Sequence, residues 1–342
     1  MTGDGRCAGW AGRQRAIAAW AVLSVVLVLS GCAAAPPSNP AVGPAAKSPV
    51  TVTADRFGGV ASHKVVTPHY LIRTTIDSPE LVENLAQVME GALGEYRKLA
   101  PGVPLTADPL LCFVFADRNQ WAQFTEAQTG GDAKVYLRIN RGGYAVRDWY
   151  VSYFIGDRET YQVAAHEGFH QYVGRHFKRR PPPFLEEGLA TVYEFVDWQN
   201  GLPRWRTRLN PHRFVGLERS VEQQMLTPLA ELCTMHAGQV VSKQLGRVEA
   251  FYAQAWAFAR FLDDGEGGRY RPALQRMLAD LAADRVPLPE FARPTPPGTW
   301  DPRTARPLLE YYLGESLERI DRQYLAYVRQ LVAAGQITHR DD

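Results

Sequence analysis

The sequence predicts an α+β fold in which a small mixed sheet lobe packs on a mainly helical lobe, followed by a helical C-terminal region. Three observations predict it. Strand-like apolar runs alternate with helically spaced segments as far as about residue 155, two helical segments bearing His and Glu follow, and strong helical spacing returns in 251–262 and 305–332.

His69 to Ile76 alternates like a strand. Pro79 to Leu99 places Leu81, Leu85, Val88, Leu93 and Tyr96 at helical spacing. Leu110 to Phe115 is a continuous apolar run, expected as a buried strand, and Asn119 to Gln128 follows as a short helix. Trp149 to Ile155 is the last strand before a helix that starts near Asp157 or Thr160, either able to cap free N–H groups, and runs to about Phe177. Pro181 to Pro183 interrupts the pattern, and Pro183 suits the first turn of the next helix, where Glu187, Thr191 and Glu194 share a face. Residues 197–248 are less regular, with turns at Asn200-Gly201, Asn210-Pro211 and Gly216, and are expected to arch over a cleft. Phe251 to Leu262 is helical. A Pro-rich connector, 287–307, leads to a last helix over 305–332.

The termini and composition bound the setting. Arg6, Arg13 and Arg15 precede an apolar run of about fifteen residues, too short for the ~20 that span a bilayer, so the segment reads as a signal peptide. It closes on Leu29-Ser30-Gly31-Cys32, which resembles a bacterial lipobox. That resemblance implies lipidation at Cys32, membrane attachment through the N-terminal lipid and, with Ala33 following, an outer-membrane location facing the periplasm. The expected organisation is a signal peptide over 1–31, a disordered Ala/Pro/Ser-rich tether over 32–56 and an N-terminal α/β lobe over 57–160. A helical metal-binding lobe over 161–286 and a connector with C-terminal helix over 287–342 complete it. Without residues 1–31 the chain has 35 basic and 35 acidic residues, so nothing in its charge calls for nucleic acid. Cys112 and Cys233 can form a disulfide in an oxidising compartment or stay as buried thiols.

His166-Glu167-Gly168-Phe169-His170 is an HExxH signature. Residues four apart on a helix lie on one face, so both imidazoles reach a single metal ion while Glu167 is placed to handle the proton of a water. Glu187, separated from His170 by sixteen residues, is the candidate third ligand.

HExxH followed by Phe184-Leu185-Glu186-Glu187-Gly188-Leu189-Ala190 resembles the gluzincin metallopeptidases, and within them the aminopeptidase-type branch. The resemblance implies one Zn²⁺ held by His166, His170 and Glu187, Glu167 as general base, and Glu194 as an acid that hydrogen-bonds a ligand histidine. It also implies that the strand before the metal helix, Trp149 to Ile155, borders the cleft and pairs with an extended peptide, although an interior strand would look the same. Tyr252 to Leu262 matches the branch's tyrosine helix, making Tyr252 the expected donor to an oxyanion, a role worth about 3 to 4 kcal/mol. The branch's Gly-Ala-Met-Glu-Asn segment is missing, and Arg141-Gly142-Gly143-Tyr144 stands in its approximate place. Expectation therefore shifts from aminopeptidase to endopeptidase action on peptide or protein substrates. The alternatives are a non-catalytic envelope lipoprotein that keeps the fold as a binding module or scaffold, and amide or ester hydrolysis on a cell-wall or small-molecule substrate.

Overall fold

The computed structural model describes residues 22–25, 47–146, 149–243, 247–292 and 300–338. The α+β expectation holds. The first strand, β1 (Val22–Val25), falls inside the stretch read as signal peptide. Cys32 lies outside the described residues. Strands β2 (Thr51–Phe57) and β3 (Val60–Val66) form a hairpin closed by Gly58 and Gly59, whose φ values of 58° and 83° match a two-residue turn between right-twisted strands. The end of the stretch read as tether is therefore strand.

Strand β4 (Tyr70–Thr74), helix α1 (Pro79–Leu99) and strand β5 (Leu110–Phe115) make a parallel crossover unit. Ser78 caps α1 by accepting from the Leu81 N–H, and Pro79 fills the first turn. Helices α2 (Arg118–Thr129) and α3 (Ala133–Tyr136) lead to the antiparallel pair β6 (Gly142–Val146) and β7 (Trp149–Tyr153). The sheet order is β1-β6-β7-β5-β4-β3-β2. This order corrects one expectation. Trp149 to Tyr153 is interior, parallel to β5 on one side and antiparallel to β6 on the other. The strand bordering the metal helix on the outer side is β6, and β1 lies along its free edge in antiparallel register from Val22↔Ala145 to Val25↔Gly142.

Next come α4 (Asp157–His176) and α5 (Pro183–Val192), as the sequence predicts, except that α4 is preceded by Gly156 at φ 116° with no side-chain cap. A separate hairpin of β8 (Val196–Gln199) and β9 (Leu202–Trp205) follows. Helices α6 (Pro211–Glu222), α7 (Leu229–Leu232) and α8 (Ala237–Lys243) give the segment expected to be irregular a largely helical form. They precede α9 (Val248–Asp264) and α10 (Arg271–Ala283). The expected last helix is two, α11 (Ala305–Leu313) and α12 (Leu317–Thr338), because Gly314 at φ 70° ends the first. No described helix is long and apolar enough to cross a membrane.

Two contacts fix the helices around the site. Tyr96 on α1 donates its hydroxyl to Ala165 O on α4 at 2.5 Å, and a β-carbon on Gly168 would stand 2.9 Å from that same hydroxyl oxygen. Between α5 and α9 the approach is closer still: a β-carbon on Gly188 would lie 2.2 Å from Ala255 O. The link from α4 to α5 is stitched to the end of α10, with Lys178 N donating to Ala282 O and Arg179 N to Leu281 O, both at 3.1 Å.

Candidate metal centre

Helix α4 places His166 and His170 one turn apart, and α5 brings Glu187 against them. The His166 and His170 Nε2 atoms are 3.2 Å apart, and Glu187 Oε2 is 3.4 Å from each. All three residues are buried. Donors about 2.0–2.1 Å from a tetrahedrally bound ion stand about 3.3–3.4 Å from one another, so this triangle matches one face of such a tetrahedron.

The protons say the same. His166 Nδ1 faces Glu194 Oε1 at 2.9 Å, and His170 Nδ1 faces Glu186 Oε1 at 2.8 Å. A carboxylate accepts, so each ring donates from Nδ1 and points its Nε2 lone pair at the other ring and at Glu187. With each ring protonated at Nδ1, three lone-pair-bearing atoms, the two Nε2 atoms and Glu187 Oε2, face one point. A cation resolves this repulsion. Charge counting agrees: Glu167, Glu186, Glu187 and Glu194 oppose Arg180 and Arg213, leaving two negative charges that a divalent ion balances. His166, His170 and Glu187 could thus hold a metal ion.

No family model and no curated protein matches this chain.

Each orienting carboxylate is itself held. Glu194 lies beyond the end of α5 rather than on it, and accepts from Asn210 Nδ2 at 2.8 Å, from Arg213 Nε at 2.9 Å and from Arg213 Nη2 at 2.7 Å. Asn210 also caps α6 through the Arg213 N–H, so the helix start and the carboxylate share one anchor. Glu186 accepts from Arg180 Nε at 3.0 Å and from Arg180 Nη2. Burial alone would raise the pKa of Glu194, but the Arg213 guanidinium and His166 outweigh it and hold it well below the carboxylate range. Burial has the same sense at Glu186, where Arg180 and His170 prevail and lower it. Without a metal ion, burial opposes charge on His170, yet Glu187 and Glu186 lift its pKa to about 10, so protons compete for this place.

The remaining expected residues lie around this core. Glu167 is fully buried, and its Cγ sits 3.2 Å from where a β-carbon on Gly143 would stand, which puts the carboxylate arm against strand β6. Gly143 belongs to the Arg141–Tyr144 segment. Tyr252, on α9, is buried with its ring under Arg213, the guanidinium carbon 4.8 Å from the ring centroid. Cys112 and Cys233 are free and buried; Cys112 donates from Sγ to Gln171 Oε1 at 3.5 Å. Glu186, Arg180, Asn210 and Arg213 were not singled out by the sequence as site residues. The adjacent pair Glu186-Glu187 was the one available signal for Glu186.

Proposed function

We propose that this chain is a zinc-dependent peptidase, tethered by lipid at Cys32 to a bacterial envelope membrane and acting on internal peptide bonds. The observation that carries the reading is the convergence of two carboxylate-fixed imidazoles and Glu187 Oε2 within 3.2–3.4 Å of one another, beside a buried Glu167. Two histidines and one carboxylate, with nitrogen and oxygen donors at tetrahedral spacing, suit zinc and leave one position open. When bound, that ion supplies Lewis acidity and lowers the pKa of a water toward about 7.

The chain's own groups do the rest. Glu167 takes the proton from the attacking water at its carboxylate and later gives it to the leaving amine nitrogen. Glu194 and Glu186 keep both imidazoles in the tautomer that leaves Nε2 without a proton. Tyr252 offers its hydroxyl to the developing oxyanion. Substrate lies extended along β6, where backbone N–H and C=O groups accept a further strand, as they accept Val22–Val25 within this chain. Removal of residues 1–31 from the mature lipoprotein frees that edge.

Metal analysis and cleavage of a peptide library by the mature protein and by Glu167→Gln test the proposal. The wild type should contain one zinc per chain and cleave, while Glu167→Gln keeps the zinc and loses turnover. Equal cleavage by both proteins rejects Glu167 as base, and a metal-free, inactive wild type rejects the proposal.

A further inference from the structure

The guanidinium that steadies one metal-facing imidazole also covers the ring of Tyr252, and the two contacts use different parts of it. Arg213 is buried in the first turn of α6. Two of its donors, Nε and Nη2, lie in the guanidinium plane and are taken by Glu194, whose Oε1 also faces His166 Nδ1 at 2.9 Å. The guanidinium carbon stands over the Tyr252 ring of α9, 4.8 Å from its centroid, at the distance of a cation–π pair.

Arg213 is itself held at both ends. Its backbone N–H donates to Asn210 Oδ1 at 3.2 Å, while Asn210 Nδ2 donates to Thr191 O at 3.0 Å and to Glu194 Oε2 at 2.8 Å. The start of α6, the end of α5 and the carboxylate are thereby one block, and the guanidinium is fixed within it. Burial opposes its charge, but Glu194 prevails, Tyr252 and Glu187 add to it, and the pKa rises further above its ordinary value. One permanent positive charge thus acts on the tyrosine and on a metal-facing carboxylate together. Support of Glu194 accounts for the fork and leaves the ring contact unexplained.

We infer that Arg213 is a positioning residue for Tyr252: registered on Glu194, it fixes the plane of the phenol ring and with it the place where the hydroxyl meets the developing oxyanion. The inference rests on the peptidase reading of Tyr252 and adds that a ligand imidazole and the oxyanion donor take their positions from one group. Lysine separates the two tasks, because a single ammonium can follow the carboxylate or the ring but lacks the planar fork that serves both.

The test is a double-mutant cycle in peptide cleavage over Arg213→Lys and Tyr252→Phe, with zinc supplied until metal analysis shows every variant fully loaded. Tyr252→Phe should lower kcat about 100- to 1000-fold. Arg213→Lys should lower kcat roughly 3- to 30-fold with KM unchanged. In the Tyr252→Phe background the same change should cost less than about 2-fold, because the ring it positions no longer carries the hydroxyl. A crystal structure of zinc-loaded Arg213→Lys should show the Tyr252 hydroxyl displaced relative to His166 and Glu187. Effects that multiply, an unchanged kcat in either single variant, or a hydroxyl that stays in place would each overturn the inference. The crystallographic result needs no turnover, so a zinc-loaded wild type that cleaves nothing defeats the peptidase proposal while the position of Tyr252 in the variant still decides this one.

Discussion

Arg213 grips both oxygens of Glu194, from Nε to Oε2 at 2.9 Å and from Nη2 to Oε1 at 2.7 Å, and the same carboxylate accepts from His166 Nδ1. The orientation of a metal-facing ring thus depends on a buried guanidinium on another helix. Lysine is a point donor and cannot span both oxygens. Arg213→Lys is expected to weaken metal affinity about 10–100-fold, measured by competition with a chelating dye, because it disturbs the partner of a ligand rather than the ligand. Unchanged affinity would show that Glu194 needs no fork to hold His166.

Glu186 and Glu187 are neighbours with different tasks, one bonded to His170 Nδ1 and the other facing both Nε2 atoms. Glu187→Gln is expected to abolish stoichiometric metal binding. Glu186→Gln should retain it with an affinity reduced about 10–100-fold. Atomic absorption after dialysis distinguishes the two, and the reverse order of severity would exchange their assignments.

Gly188 and Gly94 predict opposite signs for one substitution. A β-carbon on Gly188 meets the Ala255 carbonyl at 2.2 Å, and backbone cannot step aside, so Gly188→Ala should destabilise by about 1–3 kcal/mol and loosen the metal site with it. Gly94, exposed on α1 with nothing within 4 Å, should gain about 0.4–1 kcal/mol as alanine. Urea denaturation of the two variants gives both values, and a neutral Gly188→Ala would mean that α5 and α9 do not touch at this point.

Acid should unfold the metal-free protein through Glu187. Burial favours its neutral form, but His170 and His166 prevail and lower its pKa from 4.5 to about 2. A depressed folded pKa gives stability that is complete above pH 4.5 and is lost as the pH falls toward about 2. His170 acts on the other side: raised from 6.5 to about 10, it contributes fully below pH 6.5, and that contribution is lost as the pH rises through about 10. Denaturation of the metal-free chain across this range should show maximal stability between the two limbs. Glu187→Gln should flatten the acid limb, and an unaltered slope would assign that limb to other carboxylates.

The metal face was legible in the sequence because its spacing obeys the helical period. His166, Glu167 and His170 need only one helix, and Glu187 needs a second one packed beside it. Glu194 was legible as a partner of a ligand histidine, although the chain reaches that position past the helix end. The support of the site was less visible. Asn210 and Arg213 come from a segment whose turns were evident, but no spacing rule ties a residue on α6 to a carboxylate nineteen positions earlier. Strand β6 was not legible because it opens on Gly142 and Gly143, residues with little β character, whereas Trp149 to Ile155 has much of it and is the last such run before the metal helix. Hairpin β2–β3 escaped for a related reason: Val52 and Val60 are exposed, so its apolar alternation is faint.

The stitching of Lys178 and Arg179 to Leu281 and Ala282 bears on how the molecule can be cut. Those two backbone bonds, with Arg179 Nη2 donating to Phe291 O at 2.7 Å, lash the span between the two ligand-bearing helices to residues more than a hundred positions downstream. The C-terminal region is therefore a brace for the separation of His170 and Glu187, not an appendage. An expression boundary drawn just after α9 would strip that brace and leave a fragment holding every ligand but no fixed distance between them.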